Sequence, residues 1–175
     1  YNGAGDQSVI NPNGDIPKYY TLILSGSGTK TIAQPGDIEI INDFKVSNTA
    51  IANCLHNLTV GGSIIIDNGA TLQTNSNSFF IKGDIVFNGL SDAGSTSRVE
   101  MIGSQNQTIS GNSTPYFYTI EIDNANNVSL LTNVAVMNEL ILTNGNLQVQ
   151  NTTLGINGTI SGTTNIEVTP YSSLS

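Results

Sequence analysis

The phrase LTVGGSI at 58–64 returns as FFIKGDI at 79–85, and both overlay on IEIINDF at 38–44, with shifts of 20 and then 21 residues. The same interval carries Val134, Val136, Asn138 and Leu140 onto Leu154, Ile156, Gly158 and Ile160. A constant self-similarity of this length is a coil length. Each unit buries its apolar face only by stacking on its neighbours, so the core must run along an axis. The expected fold is all-β, a parallel β-solenoid (β-helix) with coils of about 20 residues and essentially no helix.

Strand signals support this reading. IEI at 38–40, LTV at 58–60, SIII at 63–66, FFI at 79–81, DIVF at 84–87, TIEI at 119–122, VAV at 134–136 and ELILT at 139–143 are short, rich in β-branched residues and bounded by Gly, Asn or Asp. No window has a 3.6-residue apolar period with caps. In one rung, Leu58, Val60 and Ile64 should face inward, Thr59 and Ser63 outward, with Gly61 and Gly62 at a bend. Corners that need positive φ favour Gly and then Asn, and Asn at equivalent corners can form amide ladders. Eight or nine coils at about 4.8 Å spacing give a rod roughly 40 Å long.

A longer repeat overlies the coil. Gly3, Gln7, Ser8 and Val9 match Gly103, Gln107, Thr108 and Ile109 at a shift of 100, and Tyr20, Thr21, Leu22 and Leu24 match Tyr118, Thr119, Ile120 and Ile122 at 98. Ile38, Ile40, Asn42, Phe44 and Val46 match Val134, Val136, Asn138, Leu140 and Leu142 at 96. Two copies of one module are therefore expected, 1–98 and 99–175, the second truncated, in one continuous stack.

Composition narrows the function classes. Lys and Arg total 5 against 13 Asp and Glu, for a net charge of -8. A nucleic-acid partner needs clustered cations and is not expected. No run approaches the roughly 20 apolar residues of a membrane span, so membrane insertion is not expected. The chain opens YNGAGDQ with no basic and apolar leader, so a secretion signal is expected to have been removed or to lie outside the sequence. Cys54 is the only cysteine, leaving no internal disulfide framework or thiolate-rich metal site.

Parallel β-helices can carry polysaccharide lyases and hydrolases, so the carboxylates were weighed. The coil overlay places Asp43, Ser63 and Asp84 in one outward column and Glu39, Thr59 and Phe80 in another. Asp43 and Asp84, two coils apart, would be separated by about 10 Å, slightly beyond the span of inverting glycosidases, and Lys82 is the one cation near the column. A solvated strand face is the favoured reading, and no catalytic residue is assigned. Asp43 and Asp84 stand as candidate binding residues, with Tyr19, Tyr20, Tyr116 and Tyr118 from the matched clusters PKYYT and PYFYT. Those aromatics suit sugar stacking, but packing at the core edge is favoured.

Cys54 and His56 lie two apart without further soft ligands, so a buried Cys and a loop His are expected, and neither metal nor cofactor. The TKT motif at 29–31 does not recur at the coil interval, which disfavours an ice-binding threonine array. N-x-S/T triplets at Asn57, Asn106, Asn112, Asn127, Asn151 and Asn157 matter only in a glycosylating host.

GSQNQTISG at 103–111 and NELILTNGNLQVQNTTLGINGTISG at 138–162 resemble the long extracellular repeats of large surface proteins and adhesins from Bacteroidota. GGSIIIDNGATLQ at 61–73 more loosely resembles haemagglutinin and autotransporter passenger solenoids. The resemblance implies a secreted, cell-surface location and an adhesive or structural role without catalysis. Expected partners are neighbouring repeats or a second copy meeting through the end coils, with surface glycans as a further class. Neither terminus carries the signature of a strong cap. The alternative is a carbohydrate-active β-helix enzyme or a carbohydrate-binding domain.

Overall fold

A computed structural model describes residues 1–10, 18–33, 36–92, 96–170 and 172–175. Among these are 23 strands and no helix. They form three parallel sheets wound as a β-solenoid. The first sheet stacks Gln7–Val9, Ser27–Ile32, Thr49–Cys54, Thr71–Gln73 and Leu90–Asp92. The third has eight strands, from Leu22–Leu24 to Ile166–Val168, one per coil. The second begins at Lys18–Tyr19 and has ten. It takes over the first face from Tyr116 onward, where Tyr116–Asp123 and Val134–Asn144 each run across two faces. Register shifts between Phe117 and Thr119 and between Ile122 and Asp123 mark the irregularities in that pairing.

Alternation along each short strand sends one set of side chains inward. Ile38, Leu58, Phe79, Val99, Ile120, Leu140 and Ile160 stack in register. So do Leu22, Phe44, Ile64, Ile85, Ile109, Leu130, Val149 and Val168 on the third face. Apart from Ile160 and Val168 in the last coil, they make one continuous apolar core with the inward residues of the first face. The rung over 58–64 is as its pattern predicts: Leu58, Val60 and Ile64 are buried, and Thr59 and Ser63 are half-buried.

Gly61 and Gly62 are there for contact between coils. Neither lies at positive φ. A Cβ on Gly61 would drive into the Ile41 carbonyl oxygen, one on Gly62 into Asp43 and the Asn42 backbone, and one on Gly83 into Gly62. Left-handed backbone is instead concentrated between the third and first faces, where Gly26, Asn48, Gly69, Gly111 and Asn151 follow one another up the stack. Asn48 lies at φ 60° and Asn151 at φ 54°, a region that asparagine enters more readily than other non-glycine residues.

The corner asparagines mostly hold the backbone of an adjacent coil. Asn57 Oδ1 accepts the Ser78 N–H at 2.8 Å, Asn88 Oδ1 accepts Asn112 N–H at 3.0 Å and Asn127 Oδ1 accepts Asn146 N–H at 2.9 Å. Amide-to-amide rungs join Asn75 to Asn53 at 2.9 Å and Asn124 to Gln107 at 2.8 Å.

Coil repeat and long repeat have different lengths. Five coils carry Ile38 to Leu140, which is 140 − 38 = 102 residues, whereas the long repeat carries Ile38 to Val134. That shift falls one face short. Sequence-equivalent residues of 1–98 and 99–175 therefore occupy different stacks, and the boundary itself falls at Arg98–Met101, a strand paired on both sides. Local structure still repeats: Gly3 N–H donates to Gln7 Oε1 at 3.3 Å and Gly103 N–H to Gln107 Oε1 at 2.8 Å. Yet Gln7 lies in the first sheet and Gln107 in the third.

The two ends of the stack differ. The first is closed at its third-sheet edge: Val9, Leu22 and Leu24 are at most 2% exposed, while Ile10, Tyr20 and Ile23 are 60%, 72% and 47% exposed. The Tyr1 ammonium donates to the Ile23 carbonyl at 2.9 Å and Ser25 N–H to the Tyr1 carbonyl at 2.7 Å, covering the edge of the third sheet. Lys30, fully buried, donates to the carbonyls of Gly3, Gly5 and Ser27 at 2.9, 2.7 and 2.8 Å. At the other end Ile160, Val168 and Leu174 are 52%, 46% and 50% exposed.

Candidate functional site

The column of Asp43, Ser63 and Asp84 exists as the coil overlay predicts, and its side chains hydrogen-bond from coil to coil. At this corner, between the second and third faces, backbone N–H groups need acceptors beyond the strand ladder. Asp43 Oδ1 accepts the Ser63 N–H at 2.8 Å, Ser63 Oγ accepts the Asp84 N–H at 3.1 Å, and Asp84 Oδ1 accepts the Thr108 N–H at 2.7 Å. Each side chain binds its coil to the next. In both carboxylates the bond is made by Oδ1, and a carboxylate has a second oxygen with acceptor sites of its own.

The tyrosines do not form one platform. The Tyr19 hydroxyl donates to the Ile10 carbonyl at 2.7 Å, and the Tyr1 hydroxyl accepts the Ile10 N–H at 2.8 Å. Desolvation, with Tyr1 adding to it, pushes the Tyr19 hydroxyl pKa up to about 12. Tyr19 thus packs against the closed end. Tyr20 is 72% exposed, Tyr116 is half-exposed and Tyr118 half-buried. Tyr19 and Tyr20 belong to the first coil, and Tyr116 and Tyr118 lie about 20 Å up the axis at the coil spacing.

Compared with known protein families, curated proteins and solved structures, the chain has no match in any of the three. Function must be argued from the residues themselves.

Cys54 points into the core, fully buried, and burial pushes its thiol pKa up. His56 is half-buried in the following corner. Among the described residues no group of three or more His, Cys, Asp or Glu is placed to hold a metal ion. Thr29 stacks with Ile51, Thr71 and Leu90, and Thr31 with Asn53, Gln73 and Asp92, so the first face presents mixed columns and no threonine array.

Two features were not anticipated from the sequence. On the second face, outward stacking of Arg98, Thr119 and Glu139 beside Glu100 and Glu121 gathers charge around a single cation. Arg98 pairs with Glu100 at 2.9 Å and with Glu121, while Ser161 Oγ donates to Glu139 at 2.7 Å. Desolvation raises the Glu100 pKa, Arg98 pulls it down, and the neighbouring charges of Glu121 and Asp123 raise it further, for a net rise. Register was the available signal: 98 and 100 align with 119 and 121 at the coil interval.

The second is a gap of about 20 Å³ in the fifth coil, lined by Leu72, Ile81, Phe87, Val99 and Phe117 with Tyr116 at its side. Thr74 and Ser91 replace aliphatic residues at inward positions here, and Thr74 Oγ1 is buried without a partner. Pockets for organic ligands run to about 300 Å³ and above, so this gap does not hold a sugar.

Proposed function

We propose that this chain is a structural or adhesive repeat module of a secreted bacterial surface protein, contributing a rigid rod or fibre segment, with no catalysis. One observation carries the reading: the corner side chains available for chemistry, Asp43, Ser63 and Asp84, are engaged in joining successive coils. A rod gains stiffness from such bonds at every corner, because bending it must break several at once. The mixed polar faces and the net charge of -8 suit a solvated extracellular surface. The likeness of GSQNQTISG and its flanks to Bacteroidota surface repeats supports the same assignment, with neighbouring repeats, further copies and surface glycans as partners.

The competing reading, a carbohydrate-active β-helix enzyme or carbohydrate-binding domain, makes a different prediction in one assay. Acidic polysaccharides are incubated with the chain, with and without calcium, alongside Asp43→Ala and Asp84→Ala. We expect no depolymerisation by any of the three. Turnover by the wild type that both substitutions abolish would overturn the structural assignment.

A further inference from the structure

We infer that the gap in the fifth coil is a site for one buried water molecule, which fastens the fourth coil to the fifth where the first face passes from one sheet to another. The gap arises from the side chains themselves. Inside the first face Lys30, Ala52, Leu72 and Ser91 follow one another up the stack, and a short serine after leucine withdraws volume from the core. Among the described residues Leu90–Asp92 is the last strand of the first sheet, and Tyr116–Asp123, which continues that face, belongs to the second. A side chain links the two strands: Ser91 Oγ accepts the Tyr116 N–H at 3.0 Å.

Polar atoms point to the occupant. Thr74 is 8% exposed and Ser97 3%, and both line the gap. Thr74 Oγ1 is buried with no hydrogen-bond partner among the described residues. An unpaired buried hydroxyl is strongly unfavourable, and ordered water is the usual partner where protein atoms supply none. Such a water needs about two to four polar partners. The hydroxyls of Thr74, Ser91 and Ser97 supply them, Ser91 still having its own proton to donate. Size and walls disfavour other occupants. A gap of about 20 Å³ takes one water, for which roughly 10–15 Å³ suffices, and is far too small for an organic ligand. Leu72, Ile81, Phe87, Val99 and Phe117 surround it, so a cation entering would exchange its hydration shell for hydroxyls and apolar walls. Asp92 also lines the gap but is exposed, which leaves its charge in solvent.

A crystal structure of the full chain tests the occupant directly. The expected result is a density peak about 2.7–3.2 Å from Thr74 Oγ1 and at similar reach of the Ser91 or Ser97 hydroxyl. Thr74→Val tests it by sign, because valine keeps the shape and removes the hydroxyl. With the water in place one of its bonds is lost, and the folding constant from urea titration should fall about fivefold. In a dry gap the same substitution removes an unpaired buried hydroxyl, and the constant should stay level or rise. A wild-type gap without density, or a folding constant unchanged or raised by Thr74→Val, would overturn the inference. Should Thr74→Val not fold, the wild-type density decides alone.

Discussion

Val9 and Val168 are both valines in terminal strands of this stack, yet the first is fully buried and the second 46% exposed. Coil geometry is the same at both ends; what differs is what lies beyond. At the first coil, residues 1–6 are bonded to the chain at 23–30, with Asp6 Oδ1 accepting the Thr29 N–H at 2.7 Å and Lys30 donating to three carbonyls. At the last coil nothing of the kind is present among the described residues. In a solenoid the core is as deep at coil five as at coil two, so stability is decided by nearest neighbours and by the ends. Capping is therefore a local device, built here from a lysine that, among the described residues, is paired with no carboxylate and is satisfied by backbone carbonyls.

The largest expected effect is at that lysine. Lys30→Met keeps most of the volume but leaves the carbonyls of Gly3, Gly5 and Ser27 buried without a donor. A loss of about 3 kcal/mol is expected in urea unfolding, with hydrogen exchange accelerated first in residues 1–10. A change within about 0.5 kcal/mol would show that the closed end does not depend on it.

Two glycines sharpen the contrast next. Gly61 and Gly158 both leave no room for a Cβ, against the carbonyl oxygens of Ile41 and Asn138 respectively. Gly61 is held between coils on both sides, whereas the strand Thr159–Gly162 after Gly158 pairs on one side only. Gly61→Ala should cost about 3 kcal/mol, and Gly158→Ala about 1 kcal/mol, because the last coil can shift away. Equal costs by chemical denaturation would argue that the open end is as rigid as the middle.

A same-column pair follows. Val149 and Val168 stack directly in the third sheet, and Val149 is fully buried. Val149→Ala should lose about 2 kcal/mol and Val168→Ala less than about 1 kcal/mol in the dilute chain. Thermal melts of both variants at the same protein concentration supply the comparison.

The coil was legible because its signal is redundant: Ile38, Leu58 and Phe79 repeat one requirement, an apolar side chain at an inward point, and the requirement returns every coil. The corner column of Asp43, Ser63 and Asp84 was legible as a position by the same arithmetic. Its role was not, since a carboxylate that caps a backbone N–H and one that awaits a substrate look alike in a sequence. The long repeat shows the converse. Gly3 with Gln7 and Gly103 with Gln107 form the same local bond, but summed corner lengths decide which face a residue reaches, and six residues moved every equivalent by one face. Lys30 was read only as one of five cations. Nothing in TKT marks a lysine whose acceptors come from Gly3 and Gly5, more than twenty residues earlier.

The smallest expected effect separates the charged middle from the uncharged end by pH. Glu100 has its folded pKa raised above the ordinary 4.5, chiefly by desolvation. Between 4.5 and that raised value the folded chain binds more protons than the unfolded one, so stability falls as pH rises through the window and is recovered on acidification. Arg98 works against this by favouring the ionised form, which keeps the effect small. Glu100→Gln should flatten this part of the pH profile, with a gain of a few tenths of a kcal/mol at neutral pH. A slope of this origin belongs to the coil that holds Glu100, so none is expected in the exchange protection of the last coil once intrinsic rates are divided out. Urea titrations of wild type and Glu100→Gln at several pH values, with exchange read separately for 98–101 and 159–168, measure both. A profile unchanged by Glu100→Gln would place the titration elsewhere, and a matching slope at 159–168 would mean that the end coil opens together with the middle.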